Sequence, residues 1–190
     1  TCSDWRAMRD LVYYVAVSAD GFIADRNGDP SAIPTDPSTL AALFERYPET
    51  CPAHAREAFG ITAANRRFDT VVMGHRTYAP AVQVGLPGGA YPHLRQVVAT
   101  HRDLPLETMS GDVGPQVADL KRQAGADISL CGVAELAGQL LDEIDEFQFK
   151  VNPVLLGDGI PVIGGPRQVE LTLVSTEPLP GGVVLKNYLR

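Results

Sequence analysis

Short runs of β-branched and aromatic residues, spaced by helical stretches, constrain this chain more than any other feature. The first run is Leu11 to Val17 (LVYYVAV), closed by the turn signal Ser18-Ala19-Asp20-Gly21. Phe68 to Met73 (FDTVVM), Gln96 to Thr100 (QVVAT) and Ile128 to Cys131 (ISLC) follow the same pattern. Between the runs lie helix signals. Asp36-Pro37-Ser38 offers an N-cap carboxylate and a proline at the first helical position, and Leu40, Leu43, Phe44 and Tyr47 follow on one face. A second helical stretch is predicted near Ala53 to Phe59, a third over Val113 to Ala124 and a fourth over Ala134 to Asp142. This alternation predicts an α/β fold with a largely parallel sheet. The tail breaks it. Phe147 to Leu156, Val169 to Ser175 and Val183 to Leu189 read as strands without intervening helices, so they are expected to pair antiparallel. The Asp25 to Pro30 loop, rich in Gly, Asp, Asn and Pro, is predicted to be a lid or binding loop.

A length of 190 residues suits one domain with a sizeable core. We expect residues 1–10 to be an N-terminal extension and 11–190 a single domain. The formal net charge is −7, and no dense Lys/Arg run is present to neutralise a nucleic-acid backbone, so no nucleic-acid partner is predicted. No apolar run approaches the roughly 20 residues of a membrane span, and Thr1 to Asp10 holds no signal-peptide core. Cys2, Cys51 and Cys131 are far apart, which suits a reducing cytoplasm. His54, His75, His93 and His101 show no metal-ligand spacing, and no metal is predicted.

Three strand ends carry small or polar residues just before a helix or loop. They are Gly74-His75-Arg76-Thr77, Thr100-His101-Arg102 and Cys131-Gly132-Val133-Ala134. In a parallel sheet such ends share the edge where ligands bind. Helix N-termini there offer unpaired N–H groups, and glycine lets a phosphate approach closely. With Arg76, Arg102 and two imidazoles, this is the most basic edge of an acidic chain. Neither G-x-G-x-x-G after a strand nor G-x-x-x-x-G-K-[ST] occurs. The residues by themselves support an anion-binding α/β domain, and each motif can also be read as turn geometry or solvated surface.

Four stretches, in order, resemble the dihydrofolate-reductase-like, riboflavin-reductase C-terminal family. Ser18-Ala19-Asp20-Gly21-Phe22-Ile23-Ala24 resembles its S-x-D-G-x-I-A opening, and Met73-Gly74-His75-Arg76-Thr77-Tyr78 its M-G-R-x-T-Y stretch. Cys131-Gly132-Val133-Ala134 stands at its Gly-Gly helix start, and Pro153 to Pro161 resembles its P-V-L-L-G-x-G-x-P segment. The resemblance implies a three-layer α/β/α fold around a mixed, mostly parallel sheet with antiparallel C-terminal strands. It also implies NADPH along the strand ends. Val15 and Ala16 would meet the nicotinamide carboxamide, and Ile23 would line its pocket. Gly74, His75, Arg76 and Thr77 would meet the pyrophosphate and adenosine side. Thr100, His101 and Arg102 would meet the 2′-phosphate, and Gly132, Val133, Ala134 and Leu136 would cradle the pyrophosphate. The family's Gly-Gly bond is often cis, which makes Cys131–Gly132 the corresponding candidate. This chain has His75 where the family has Arg, Cys131 where it has Gly, and Tyr14 where riboflavin reductases carry Lys on strand one.

The function implied is hydride transfer from NADPH to a small pterin- or aminopyrimidine-like heterocycle. Tyr14, Asp36 or a water near the Asp25–Asp29 loop is the candidate proton source. Each side chain has a structural alternative, Tyr14 as a core aromatic and Asp36 as the helix cap. The alternative function is a non-catalytic nucleotide- or heterocycle-binding module on the same fold. A homodimer is expected from the resemblance, whereas the alternation of Val169, Leu171, Leu173, Val183 and Leu185 serves a core face or an interface equally.

Overall fold

The first apolar run forms strand β1, Leu11–Ser18, which is buried on both faces. Burial on both sides explains why its sequence is nearly continuous in apolar residues rather than alternating. The computed structural model describes residues 8–86, 88–132 and 134–190. It sets β1 near the middle of an eight-stranded sheet. Beside β1 on one side are β6 (Asp127–Cys131), β3 (Phe68–Gly74), β4 (Arg95–Ala99) and β5 (Glu107–Met109). On the other side are β7 (Glu146–Asn152), β10 (Val184–Leu189) and β9 (Thr172–Pro178). From β5 to β7 every neighbouring pair is parallel, while β10 runs antiparallel to both β7 and β9. A separate antiparallel pair joins β2 (Phe22–Ala24) to β8 (Ile160–Pro161).

Helices cover both faces. On one face α4 (Val113–Lys121) and α5 (Ala134–Gln139) meet Tyr13, Val15, Leu130 and Phe147 in the main core. On the other, α1 (Pro37–Arg46) packs Leu43 against Tyr14, and α3 (His75–Gln83) packs Tyr78 against Val71, Met73 and Val98. The short α2 (Ala53–Arg56) follows α1. Tyr13, Leu130 and Phe147 are almost wholly buried. Burial of each such side chain contributes about 1.5–3 kcal/mol. The result is the three-layer α/β/α arrangement expected from the resemblance.

The packed chain begins earlier than residue 11. Arg9 is 4% exposed. Its guanidinium donates to Asp69, to the Ala126 carbonyl and, at 2.6 Å, to Thr70 Oγ1. Arg9, within the expected extension, thus packs against the folded domain; residues 1–7 of that extension lie outside the described residues. The last predicted strands also shift. Val169 and Leu171 pack on the main core before β9 starts, whereas Leu173 and Val174 stand exposed on β9 at the sheet edge. Among the described residues no helix is long and apolar enough to cross a membrane.

Two sequence-distant motifs are tied together at the exit of β1. The Asp20 carboxylate accepts the Ser18 hydroxyl at 2.6 Å and the backbone N–H groups of Leu156 at 3.1 Å and Gly157 at 2.7 Å. These donors hold its pKa below the usual carboxylate value, the Ser18 hydroxyl contributing most. Nearby, Gly159 has φ 158°, and a Cβ there would lie 2.2 Å from the Ala24 carbonyl oxygen. Glycine at that position is what lets the β2 and β8 segments close.

Candidate functional site

Two cavities of about 230 Å³ each adjoin the parallel strands, the first at their carboxyl ends. The first gathers Gly74, His75 and Arg76 from the β3–α3 junction, Thr100 and His101 after β4, and Ser110 and Gly111 before α4. Glu135, Leu136 and Gln139 of α5 close its remaining side. Gly74 is the N-cap of α3 and supplies no side-chain acceptor, so the first-turn N–H groups have no capping partner from it. The helix dipole then adds partial positive charge at the same point. Arg76 and two imidazoles face this cavity against one carboxylate, Glu135. The cavity can therefore bind an anion through backbone and guanidinium donors.

Gly132 adjoins this region from β6. Its φ is +74°, and a Cβ there would lie 2.2 Å from Thr77 Oγ1. Only glycine fits both the left-handed backbone and the close approach of α3. Cys131–Gly132 is trans, since no cis peptide bond occurs among the described residues; this corrects the cis expectation. The substitution of the family's glycine by Cys131 removes the Gly-Gly pair on which that expectation rested.

The second cavity lies on the opposite side of β3 and β6, under α1. Leu40, Leu43 and Phe44 form its helix wall, and Tyr14, Val71, Ser129, Cys131 and Lys150 form its sheet floor. Tyr91, Glu49 and Thr50 complete the lining. Lys150 Nζ lies 3.7 Å from the centroid of the Tyr14 ring, a cation–π contact. Among the described residues it has no ion-pair partner within 4.0 Å. Burial lowers the Lys150 pKa from 10.5 to about 8, opposed in part by Cys131. Burial also raises the Cys131 thiol and pushes Tyr14 and Tyr91 well above the ordinary tyrosine value. The Tyr14 hydroxyl is buried with no hydrogen-bond partner among the described residues. Glu49 is fully buried, and its carboxylate accepts the backbone N–H groups of Arg66, Arg67 and Phe68 at 3.1, 2.7 and 2.8 Å. Its oxygens are thus engaged in holding the chain that enters β3.

Of the predicted residues, Gly74, His75, Arg76, Thr100, His101 and Leu136 line the first cavity, and Tyr14 lines the second. Thr77 packs at Gly132, as described above. Ala16 pairs with Lys150 across β1 and β7, so the two share a sheet face. Val15 faces the main core and Ile23 packs against it. Ala134 is buried, and its carbonyl accepts the Gly164 N–H at 2.8 Å. Arg102 is exposed, its N–H on Thr100 Oγ1 at 3.1 Å. Val133 lies outside the described residues. Asp36 is the N-cap of α1 and accepts Ser38 N at 2.8 Å and Thr39 N at 3.2 Å. The Ser38 hydroxyl first, then these N–H groups, draw its pKa down. Its carboxylate is exposed and lines neither cavity, in the helix-cap arrangement that the sequence offered as the alternative.

Lys150 and Ser110–Gly111 escaped the sequence reading. The signal for Lys150 was present. Gln148, Lys150 and Asn152 alternate with Phe147 and Phe149, giving a polar face on a strand that the sheet order places between β1 and β10. A polar face inside a covered sheet marks a cavity. No group of three or more His, Cys, Asp or Glu side chains among the described residues is placed to hold a metal ion.

Comparison with known proteins bears on both fold and family. A family model described as the RibD C-terminal domain matches residues 9–185. The uncharacterized protein YwjB of Bacillus subtilis (strain 168) is 30% identical over 190 residues, covering 96% of this chain and 98% of that protein. Among solved structures, dihydrofolate reductase from Enterococcus faecalis, complexed with NADP(H) and RAB-propyl, superposes with a TM-score of 0.62 at 13% identity, covering 95% and 96% of the two chains. The diaminohydroxyphosphoribosylaminopyrimidine deaminase/5-amino-6-(5-phosphoribosylamino)uracil reductase of Thermotoga maritima gives 0.61 at 16% identity, over 96% of this chain and 56% of that one. At these identities the structural likeness shows the fold, which is dihydrofolate-reductase-like.

Proposed function

The chain belongs to the RibD C-terminal domain family, and from that premise we propose that it is an NADPH-dependent reductase of a small pterin- or aminopyrimidine-like heterocycle. One observation carries this reading. Two cavities of equal size adjoin the sheet, one basic and backbone-lined at the carboxyl ends of β3, β4 and β5, the other aromatic and rich in donors over β1, β3, β6 and β7. The donor set of the first fits a phosphorylated dinucleotide. Gly74, His75, Arg76 and Thr77 would hold the pyrophosphate and adenosine side. Thr100, His101 and Arg102 would hold the 2′-phosphate, for which a guanidinium fork is suited. Gly132, Val133, Ala134 and Leu136 would complete the phosphate cradle. Val15, Ala16 and Ile23 would orient the nicotinamide beside the second cavity. NADPH when bound supplies a hydride; the protein contributes orientation and exclusion of water.

The chain must also deliver a proton. Burial makes Tyr14 hold its proton too tightly for that role near neutral pH. Lys150, at about 8, is the better source. A cytoplasmic location, where thiols stay reduced, and a homodimer formed through the exposed β9 edge with Leu173 and Val174 accompany this proposal.

Titration with NADPH followed by intrinsic fluorescence tests binding. Loss of cofactor absorbance with a panel of pterins and aminopyrimidines tests turnover. Binding in the micromolar range with turnover of a panel member is expected. Absence of binding at millimolar NADPH would overturn the proposal. Binding without turnover of any reducible heterocycle would replace it with the alternative, a nucleotide- or heterocycle-binding module.

A further inference from the structure

The polar floor of the second cavity has a consequence for what it accepts. We propose that Lys150 determines its specificity, selecting a planar ring that presents carbonyl or enolate oxygens rather than an amidine-like edge of N–H donors. The inference deepens the reductase reading and rests on that cavity being the substrate site.

A ring edge made of amino and ring N–H groups needs a carboxylate or several free carbonyls opposite it. Among the described residues the cavity has one carboxylate, Glu49, and both of its oxygens are engaged by backbone N–H groups. Asp36 lies outside, bound to its own helix start. The Thr50 hydroxyl donates to the Tyr47 carbonyl, and the groups that remain are hydrogen donors or ambivalent hydroxyls: the Lys150 ammonium, the unpartnered Tyr14 hydroxyl and Ser129. Tyr91 and Cys131 also line the cavity, and burial first of all makes each hold its proton tightly. A buried ammonium without an ion-pair partner, facing an apolar helix wall, is costly unless a ligand brings an acceptor. Lys150 is placed to meet one, because β7 sets it opposite Ala16, two residues beyond Tyr14 toward the carboxyl end of β1. Leu40, Leu43 and Phe44 form the apolar helix wall, suited to a ring.

Protonation of Lys150 then governs binding. The titratable groups facing it are Tyr14 from β1, Cys131 from β6, Tyr91 before β4 and Glu49 after α1. With a pKa of about 8, it is mainly charged at pH 7 and mainly neutral at pH 9.5.

Two pyrimidines of equal size serve as probes: barbiturate, with an acceptor edge, and 2,4-diaminopyrimidine, with a donor edge. Binding is measured by saturation-transfer NMR and calorimetry in the presence of NADPH. Barbiturate is expected to bind at pH 7 and to weaken at least about tenfold at pH 9.5. Lys150→Met is expected to weaken it about tenfold or more, as for loss of a charged hydrogen bond, with Lys150→Arg recovering part of the loss. NADPH affinity, measured on the same samples, reports folding and the first cavity. Preference for diaminopyrimidine, or barbiturate affinity unchanged in Lys150→Met, with NADPH still bound, overturns this inference alone. Barbiturate binding through Lys150 without NADPH binding overturns the reductase reading alone.

Discussion

Replacing Lys150 by methionine should make the protein more stable while impairing its second cavity. The side chains are similar in length, so the floor keeps its packing. What changes is the charge. Lys150 falls from an ordinary 10.5 to about 8 on folding. At 1.36 kcal/mol for each pKa unit, holding the ammonium costs the folded state about 3 kcal/mol at pH 6.5. The cation–π contact with Tyr14 returns about 0.5–1 kcal/mol of this. A net gain of about 2 kcal/mol is therefore expected for Lys150→Met, a rise of roughly 4–8 °C in Tm for a domain of this size. The sign follows from linkage. Because the folded pKa lies below the unfolded one, the unfolded chain binds more protons between pH 8 and 10.5. Wild-type stability attributable to this group must rise across that window. The advantage of the variant should thus be full below pH 8 and fall to less than half by pH 9.5. Urea melts of both proteins at pH 6.5, 8 and 9.5 measure it. A destabilised variant, or a difference that does not change with pH, would refute the desolvation argument.

Other sites give independent outcomes. Gly132→Ala places a Cβ against Thr77 Oγ1 on a left-handed backbone; a loss of at least about 1–2 kcal/mol is expected in thermal melts, and Thr77→Ala should recover part of it. Arg76→Ser should weaken NADPH about tenfold or more in calorimetry and narrow its margin over NADH if the guanidinium meets a phosphate. Asp36→Ala removes the α1 N-cap and should cost about 1 kcal/mol in urea melts while turnover of any active substrate is unchanged. Val174→Glu on the β9 edge should shift light-scattering mass from dimer to monomer, with no such shift for a substitution at exposed Val84.

The sheet was legible because its strands obey simple rules. LVYYVAV is buried on both faces and so carries no alternation, and the helix-free tail pairs antiparallel as its turn residues require. The edge strand β5 was not legible, since Glu107-Thr108-Met109 is short and largely exposed. Local signals also located Gly74, His75, Arg76, Thr100 and His101, because strand ends before helices gather at one sheet edge. Asp36 was ambiguous in sequence for a physical reason. A carboxylate before Pro-Ser serves a helix cap and a binding site equally, and only its bonds to Ser38 and Thr39 decide. Lys150 was missed because its meaning depends on pairing: beside Phe149 it reads as surface, and only the β1–β7 register puts it over Tyr14.

Amide chemical-shift mapping during an NADPH titration addresses the two-cavity reading most directly. The largest movements should fall together on Gly74, His75, Arg76, Thr100, Gly111 and Leu136, with smaller ones at Ala16. Movements scattered over β9 and the α2 region, or none at millimolar cofactor, would contradict it.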